Sequence, residues 1–179
     1  MPRKPVAREA VLDAFESLLI EEGERAATLD AVAKRAGVSK GGLLYHFPTK
    51  EAMISVLLER LDRLLAEDLK AMAAAPQGAA AYFIKSSVWA GTAMDRVFVA
   101  ATRLAEVAHE ETLRRFAAGQ ASWLDLLAGD VGPGMAKAVL YMGDGLYFNA
   151  MLTRGPGGQL PEVDADVESL LAAVERLRG

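Results

Sequence analysis

Cysteine is missing from the 179-residue chain, which excludes a disulfide framework and any zinc site built on thiolates. Histidine is scarce. His46 and His109 are the only two, too few for an imidazole-rich metal centre. No apolar run approaches the roughly 18 residues that begin to read as a membrane span. The opening Met1-Pro2-Arg3-Lys4-Pro5 lacks the apolar stretch of a secretory signal. These absences lead to the expectation of a cytoplasmic protein with no cofactor and no membrane contact.

What is present is ordinary for a globular chain: 52% apolar and 25% charged residues. The net charge of −4 is the wrong sign for a polyanion partner. Its distribution is uneven, however. Residues 1–50 hold eight Lys/Arg and seven Asp/Glu, a net of +1, and the remainder carries −5. A weakly basic head on an acidic body fits a small DNA-binding module carried by a larger domain.

The periodicity is helical nearly throughout, so the expected class is all-α with about nine helices. Val11, Leu12, Phe15, Leu18 and Leu19 form one stripe of a first helix over about 6–22, stopped by Gly23. Thr28 is a good N-cap for a second, with Asp30 in its first turn, and Gly37 ends it. Ser39 caps a short third helix broken by Pro48. Thr49 caps a fourth, with Ile54, Leu57, Leu58, Leu61, Leu64 and Leu65 along its buried face. Further helices are expected at about 78–90, 94–107, 109–128, 135–153 and 162–178. Glycine-rich loops are expected at 129–134 and 154–159.

Thr28 to Lys50 therefore reads as helix, tight Gly-containing turn, short helix, with Val38 plugging the angle. The third helix is small enough for a major groove about 12 Å wide. Gly41 and Gly42 each cost it about 0.5–1 kcal/mol relative to alanine, which makes sense where backbone approaches another surface closely.

The stretch Thr28-Leu-Asp-Ala-Val-Ala-Lys-Arg-Ala-Gly-Val-Ser-Lys-Gly-Gly-Leu-Leu-Tyr-His-Phe-Pro-Thr-Lys-Glu51 resembles the TetR/AcrR family of transcriptional regulators. The resemblance covers about the first 60 residues. Leu44 stands where that family often has Tyr, and Gly42 where Thr, Ser, Ala or Asn is frequent. The resemblance implies a helix-turn-helix DNA-binding domain over 1–48 and a helical ligand-binding and dimerisation domain over 49–179.

It also implies roles. Thr28 contacts phosphate at a helix N-terminus. Ser39 and Lys40 open the recognition helix, with Lys40 reading a guanine edge. Gly41 and Gly42 permit close approach, Leu44 touches a thymine methyl, and Tyr45, His46 and Lys50 bind phosphates. Tyr45 and His46 also fit plain structural roles. Arg3, Lys4 and Arg8 form a basic arm that either adds DNA contacts or serves as a solubilising terminus.

One recognition helix spans only a few base pairs, so a homodimer on a palindromic operator is expected. The resemblance places the dimer on the last two helices, at Val139, Gly143, Leu146, Ala150, Val167, Leu170, Leu171 and Val174, in a stripe that also takes in Met142 and Leu177. It further implies a small-molecule effector. The large side chains Trp89, Met94, Phe98, Trp123, Tyr141, Tyr147 and Phe148 are its expected pocket, with Arg103 and Asn149 as polar anchors. Asp144 or Glu106 would meet a cationic ligand, although Asp144 also fits a pairing with Arg103. His109 and Glu106, three apart, are read as sharing a helical face, but two ligands do not make a metal site.

No catalytic motif is present. Gly129-Asp-Val-Gly-Pro-Gly-Met-Ala-Lys137 lacks the Gly before Lys and the Ser/Thr after it that a phosphate loop requires. Nor is there a nucleophile elbow or dinucleotide fingerprint. The reading is a regulator, most simply a ligand-released repressor, and not an enzyme.

Overall fold

The computed structural model describes residues 4–152 and 163–178. Among them nine helices run in order: α1 (Lys4–Glu22), α2 (Leu29–Ala36), α3 (Lys40–His46), α4 (Lys50–Ala73), α5 (Ala79–Ser86), α6 (Ala93–Glu106), α7 (Glu110–Val131), α8 (Pro133–Leu152) and α9 (Asp164–Arg178). The loop expected at 154–159, Arg3 and the side chain of Leu177 lie outside the described residues.

The chain divides into two compact units. The first holds residues 1–64 and 93–116, and the second holds 65–92 and 117–179. In the first, the apolar stripe of α1 (Val11, Leu12, Phe15, Leu18 and Leu19) is buried with Val32 of α2 and Leu43 of α3. Met53, Ile54, Leu57, Leu58 and Leu61 of α4 complete one side of that core. Val97, Ala100, Ala101 and Leu104 of α6 complete another. Motif and compact unit thus end at different places, because the apolar faces of α4 and α6 are buried with α1. In the second unit, Met72, Ala80, Phe83, Ile84, Leu127, Val139, Leu140 and Val174 form the core.

Three boundaries differ from the sequence expectation. The 129–134 segment is almost wholly helical. α7 continues to Val131, only Gly132 breaks the chain at φ 79°, and Pro133 opens α8 at once. Proline suits a first helical position because its missing N–H has no intrahelical partner there. α5 stops at Ser86, four residues early. Its N-cap, Gly78, has no side chain. The carboxylate of Asp130, fifty residues away, accepts from the Ala80 N–H at 2.8 Å instead.

The third difference is the corner between α6 and α7. Ala108 takes a left-handed φ of 57°, and His109 caps α7, its Nδ1 lying 3.3 Å from the Thr112 N–H and 3.0 Å from Oγ1. Glu106 ends α6 and pairs with Arg103 at 2.9 Å. His109 and Glu106 therefore share no helical face, since the corner separates them.

One polar cluster ties the first unit together. Glu16 of α1 is buried, with its carboxylate accepting from Arg60 Nη1 of α4 at 3.1 Å and from Arg96 Nε of α6 at 2.9 Å. Arg60 also binds Asp13 and Glu9, each at 2.8 Å. These hydrogen bonds offset the cost of burying the charge.

Candidate nucleic-acid interface

Three local devices shape the segment from Thr28 to Lys50. Thr28 is extended (φ −82°, ψ 159°), and its Oγ1 accepts from the Ala31 N–H at 3.2 Å. Gly37 ends α2 in the left-handed region (φ 67°, ψ 29°), where a Cβ would be strained. Ser39 is extended again, and its Oγ accepts from the Gly42 N–H at 3.1 Å. These caps satisfy helix-terminal N–H groups that would otherwise lack partners.

Seven-residue α3 is anchored from beneath by Leu43 and by Phe47 just past its end, both essentially inaccessible. Its outer face is open to solvent. Lys40, Gly41, Leu44 and Tyr45 are exposed, Tyr45 at 69%, and the edge of His46 meets the Tyr45 ring at 5.2 Å between centroids. The two glycines serve differently. A Cβ on Gly42 would lie 3.2 Å from Ser39 Oγ, so this glycine leaves room for the cap, whereas a Cβ on Gly41 would meet nothing of the chain. Close approach by another surface is thus relevant to Gly41, and local geometry accounts for Gly42.

The basic residues of this face are held by carboxylates of the same chain. Lys40 Nζ lies 2.9 Å and 3.1 Å from the two oxygens of Asp30. Arg35 binds Glu21 at 2.8 Å and Glu22 at 3.0 Å, and the Glu21 hydrogen bond leads in raising its pKa. Half-buried Lys50 donates to the Glu24 carbonyl at 2.6 Å and to its carboxylate at 2.7 Å. Sequence reasoning assigned Lys40 and Lys50 to DNA and missed both partners. Arg8 lies over the Phe47 ring, 5.2 Å from its centroid.

The expected effector residues fall into separate groups. Met94 and Phe98 are half-buried against the first core, Phe98 meeting Phe116 at 5.1 Å, and Arg103 pairs with Glu106. In the second unit, buried Trp89 lies 6.1 Å from the Tyr147 ring. Trp123 meets Phe83 edge-on at 5.7 Å. Asp68 accepts from Trp123 Nε1 and from the Tyr82 hydroxyl, each at 3.0 Å. Burial, and then the Asp68 charge, push the Tyr82 pKa to about 12. Asn149 bonds back to the Gly145 carbonyl, while Tyr141 and Phe148 are 58% and 61% exposed. These last two face outward on α8 and do not line an enclosed cavity. A cleft of about 390 Å³ does open beside Arg60, Arg63 and Arg96, but charged side chains dominate it. Among the described residues no three potential metal ligands gather, and no helix is long and apolar enough to cross a membrane.

The expected dimer residues are largely used within the protomer. Val139, Leu146, Ala150 and Val174 are buried. At Gly143 a Cβ would lie 2.5 Å from both Phe83 and Ser87 of α5, so the close approach that its missing side chain permits is to α5. Val167, Leu170 and Leu171 remain half-buried.

Comparison with known proteins gives the same reading of the N-terminal part. Residues 11–57 match the model described as bacterial regulatory proteins, tetR family. The nucleoid occlusion factor SlmA of Haemophilus ducreyi is 36% identical over 74 residues, 40% of this chain and 37% of that protein. The HTH-type transcriptional regulator RutR of Escherichia coli is 43% identical over 60 residues, 33% of this chain and 28% of RutR. The aligned part thus spans about a third of the length of these curated relatives. Over nearly the whole chain the fold is that of the multidrug binding protein EbrR, solved in complex with malachite green. Its TM-score is 0.67 at 19% identity, covering 95% of this chain and 96% of that one.

Proposed function

Residues 11–57 match the tetR family of bacterial regulatory proteins, and from that premise we propose that the chain is a regulator of this family that binds a palindromic DNA operator as a homodimer and represses transcription until a small molecule releases it. The matched family is one of bacterial regulatory proteins, and structural neighbours include the repressor NalD of Pseudomonas aeruginosa, which supports a regulator rather than an enzyme. The observation that carries the reading is α3, a seven-residue helix fixed by Leu43 and Phe47 with Lys40, Gly41, Leu44 and Tyr45 exposed to solvent on its outer face. In this reading residues 1–48 are the DNA-binding head and 49–179 the ligand-binding and dimerisation body. Thr28, Tyr45, His46 and the third proton of Lys50 serve phosphates, and Lys40 and Leu44 serve base edges.

The dimer seam is assigned to the outward surface of α8 and α9. Two large exposed aromatic residues seven apart on one face of α8, Tyr141 and Phe148, favour it, and Val167, Leu170 and Leu171 of α9 are only half-buried against the second core. For the effector, the aromatic groups around Trp89 and Trp123 support an apolar or aromatic ligand, as does the dye held by EbrR. A DNA-binding regulator of this kind works in the cytoplasm.

The test is fluorescence anisotropy on the DNA upstream of the protein's own gene, with unrelated DNA alongside and a salt titration on both. Tight binding to the upstream DNA with two protomers per site is expected. A monomer in solution at micromolar concentration contradicts the dimer, and a compound screen that never weakens DNA binding contradicts the effector.

A further inference from the structure

Three basic groups of the DNA-facing module, Lys50, Arg35 and Lys40, are paired with carboxylates of other elements, and they are not held equally. Lys50 is half-buried and bonds to a main-chain carbonyl as well as a carboxylate. Arg35 spans two carboxylates. Lys40 has Asp30 alone, with both side chains open to water at 56% and 72% exposure. A surface pair of this kind shifts an equilibrium by no more than about fivefold. Of these three paired cations, Lys40 is therefore the one that a competing acceptor takes most readily.

What it leaves behind decides when that happens. Asp30 stands in the first turn of α2, two residues after Thr28, where the helix N-terminus holds a negative charge in place. Once Lys40 departs, an unpaired carboxylate faces a polyanion, and that penalty is the same on every DNA sequence. A loose phosphate contact at Lys40 does not offset it. A well-placed acceptor pair on a guanine edge does.

Resting on the DNA-binding reading above, we propose that Asp30 is a specificity-determining residue: it retains Lys40 on non-cognate DNA and releases it only to a base-edge acceptor. On random DNA Lys40 stays with Asp30 and displaces no counterion. On the cognate site it displaces one.

The experiment compares wild type, Asp30→Asn, Asp30→Glu, Lys40→Ala and the Asp30→Asn/Lys40→Ala double variant. The probes are a random-sequence duplex and the duplex that wild type enriches most from a random pool, each titrated with salt. Circular dichroism checks that every variant is folded. Asp30→Asn is expected to bind the random duplex about three- to fivefold more tightly. Its log–log salt slope there should steepen by about one. The enriched duplex should gain less, so discrimination narrows. Lys40→Ala should abolish both gains, and Asp30→Glu should restore wild-type behaviour.

The proposal is overturned if Asp30→Asn weakens the enriched duplex and leaves the random one alone, because Asp30 would then position Lys40. It is equally overturned if the gain persists without Lys40, which is a bare net-charge effect, or if neither duplex changes. A wild-type protein that enriches no duplex and shows no salt-dependent binding removes the DNA reading itself, and this proposal with it.

Discussion

Lys50 donates to two oxygens of Glu24, the carbonyl at 2.6 Å and the carboxylate at 2.7 Å, which fastens the start of α4 to the turn between α1 and α2. Replacing it by Met keeps the apolar stem and removes the donors, leaving a partly buried carboxylate and carbonyl unsatisfied. Lys50→Met is expected to lower stability by about 1–2 kcal/mol, read by urea denaturation. An unchanged midpoint would mean that the lysine serves DNA alone.

Glycines 143 and 145 lie two positions apart on α8 and predict opposite results. A Cβ at 143 collides with Phe83 and Ser87 at 2.5 Å, whereas one at 145 meets nothing. Gly143→Ala should cost about 1–3 kcal/mol through overpacking. Gly145→Ala should be neutral, or stabilising by up to about 1 kcal/mol through helix propensity. Thermal unfolding of the two variants side by side checks this.

Tyr82 should ionise near pH 12. Its folded pKa is raised above the ordinary 10.0, so its contribution to stability is complete below pH 10 and is lost as pH climbs towards 12. Ultraviolet titration of tyrosinate should show a step near pH 12. Asp68→Asn should move that step down without returning it fully, because burial outweighs the Asp68 charge among its causes.

Glu16→Ala takes the shared acceptor away from Arg60 and Arg96. Arg60 keeps Asp13 and Glu9, and Arg96 is partly in water, so the loss is smaller than for a fully buried pair. A cost of about 2–3 kcal/mol is expected in chemical denaturation. The conservative Glu16→Gln variant should recover part of it.

The head of this chain was legible because its signals are local. Thr28, Ser39 and Thr49 each cap a helix by bonding an N–H three residues on, and Gly37 takes the left-handed turn that its position suggested. Relationships between distant residues left no such trace. The Lys40–Asp30 and Lys50–Glu24 pairs join residues 10 and 26 apart, and nothing in the spacing of a lysine announces its acceptor. The start of α5 was similarly opaque, since its cap is carried by Asp130 on α7. Small residues on α8 were read as making room for a second chain, when at Gly143 the neighbour is α5. Periodicity marks an apolar face without saying what covers it.

Both tryptophans, Trp89 and Trp123, fall in the second compact unit, and the first has none. Indole emission therefore originates in the second unit alone, while far-ultraviolet dichroism sees helices in both units. The protein carries its own optical label on one half. If the two halves melt together, the fluorescence and dichroism curves will superimpose. If the DNA-facing half loosens first, dichroism will fall while the tryptophans still glow as they do in the native state.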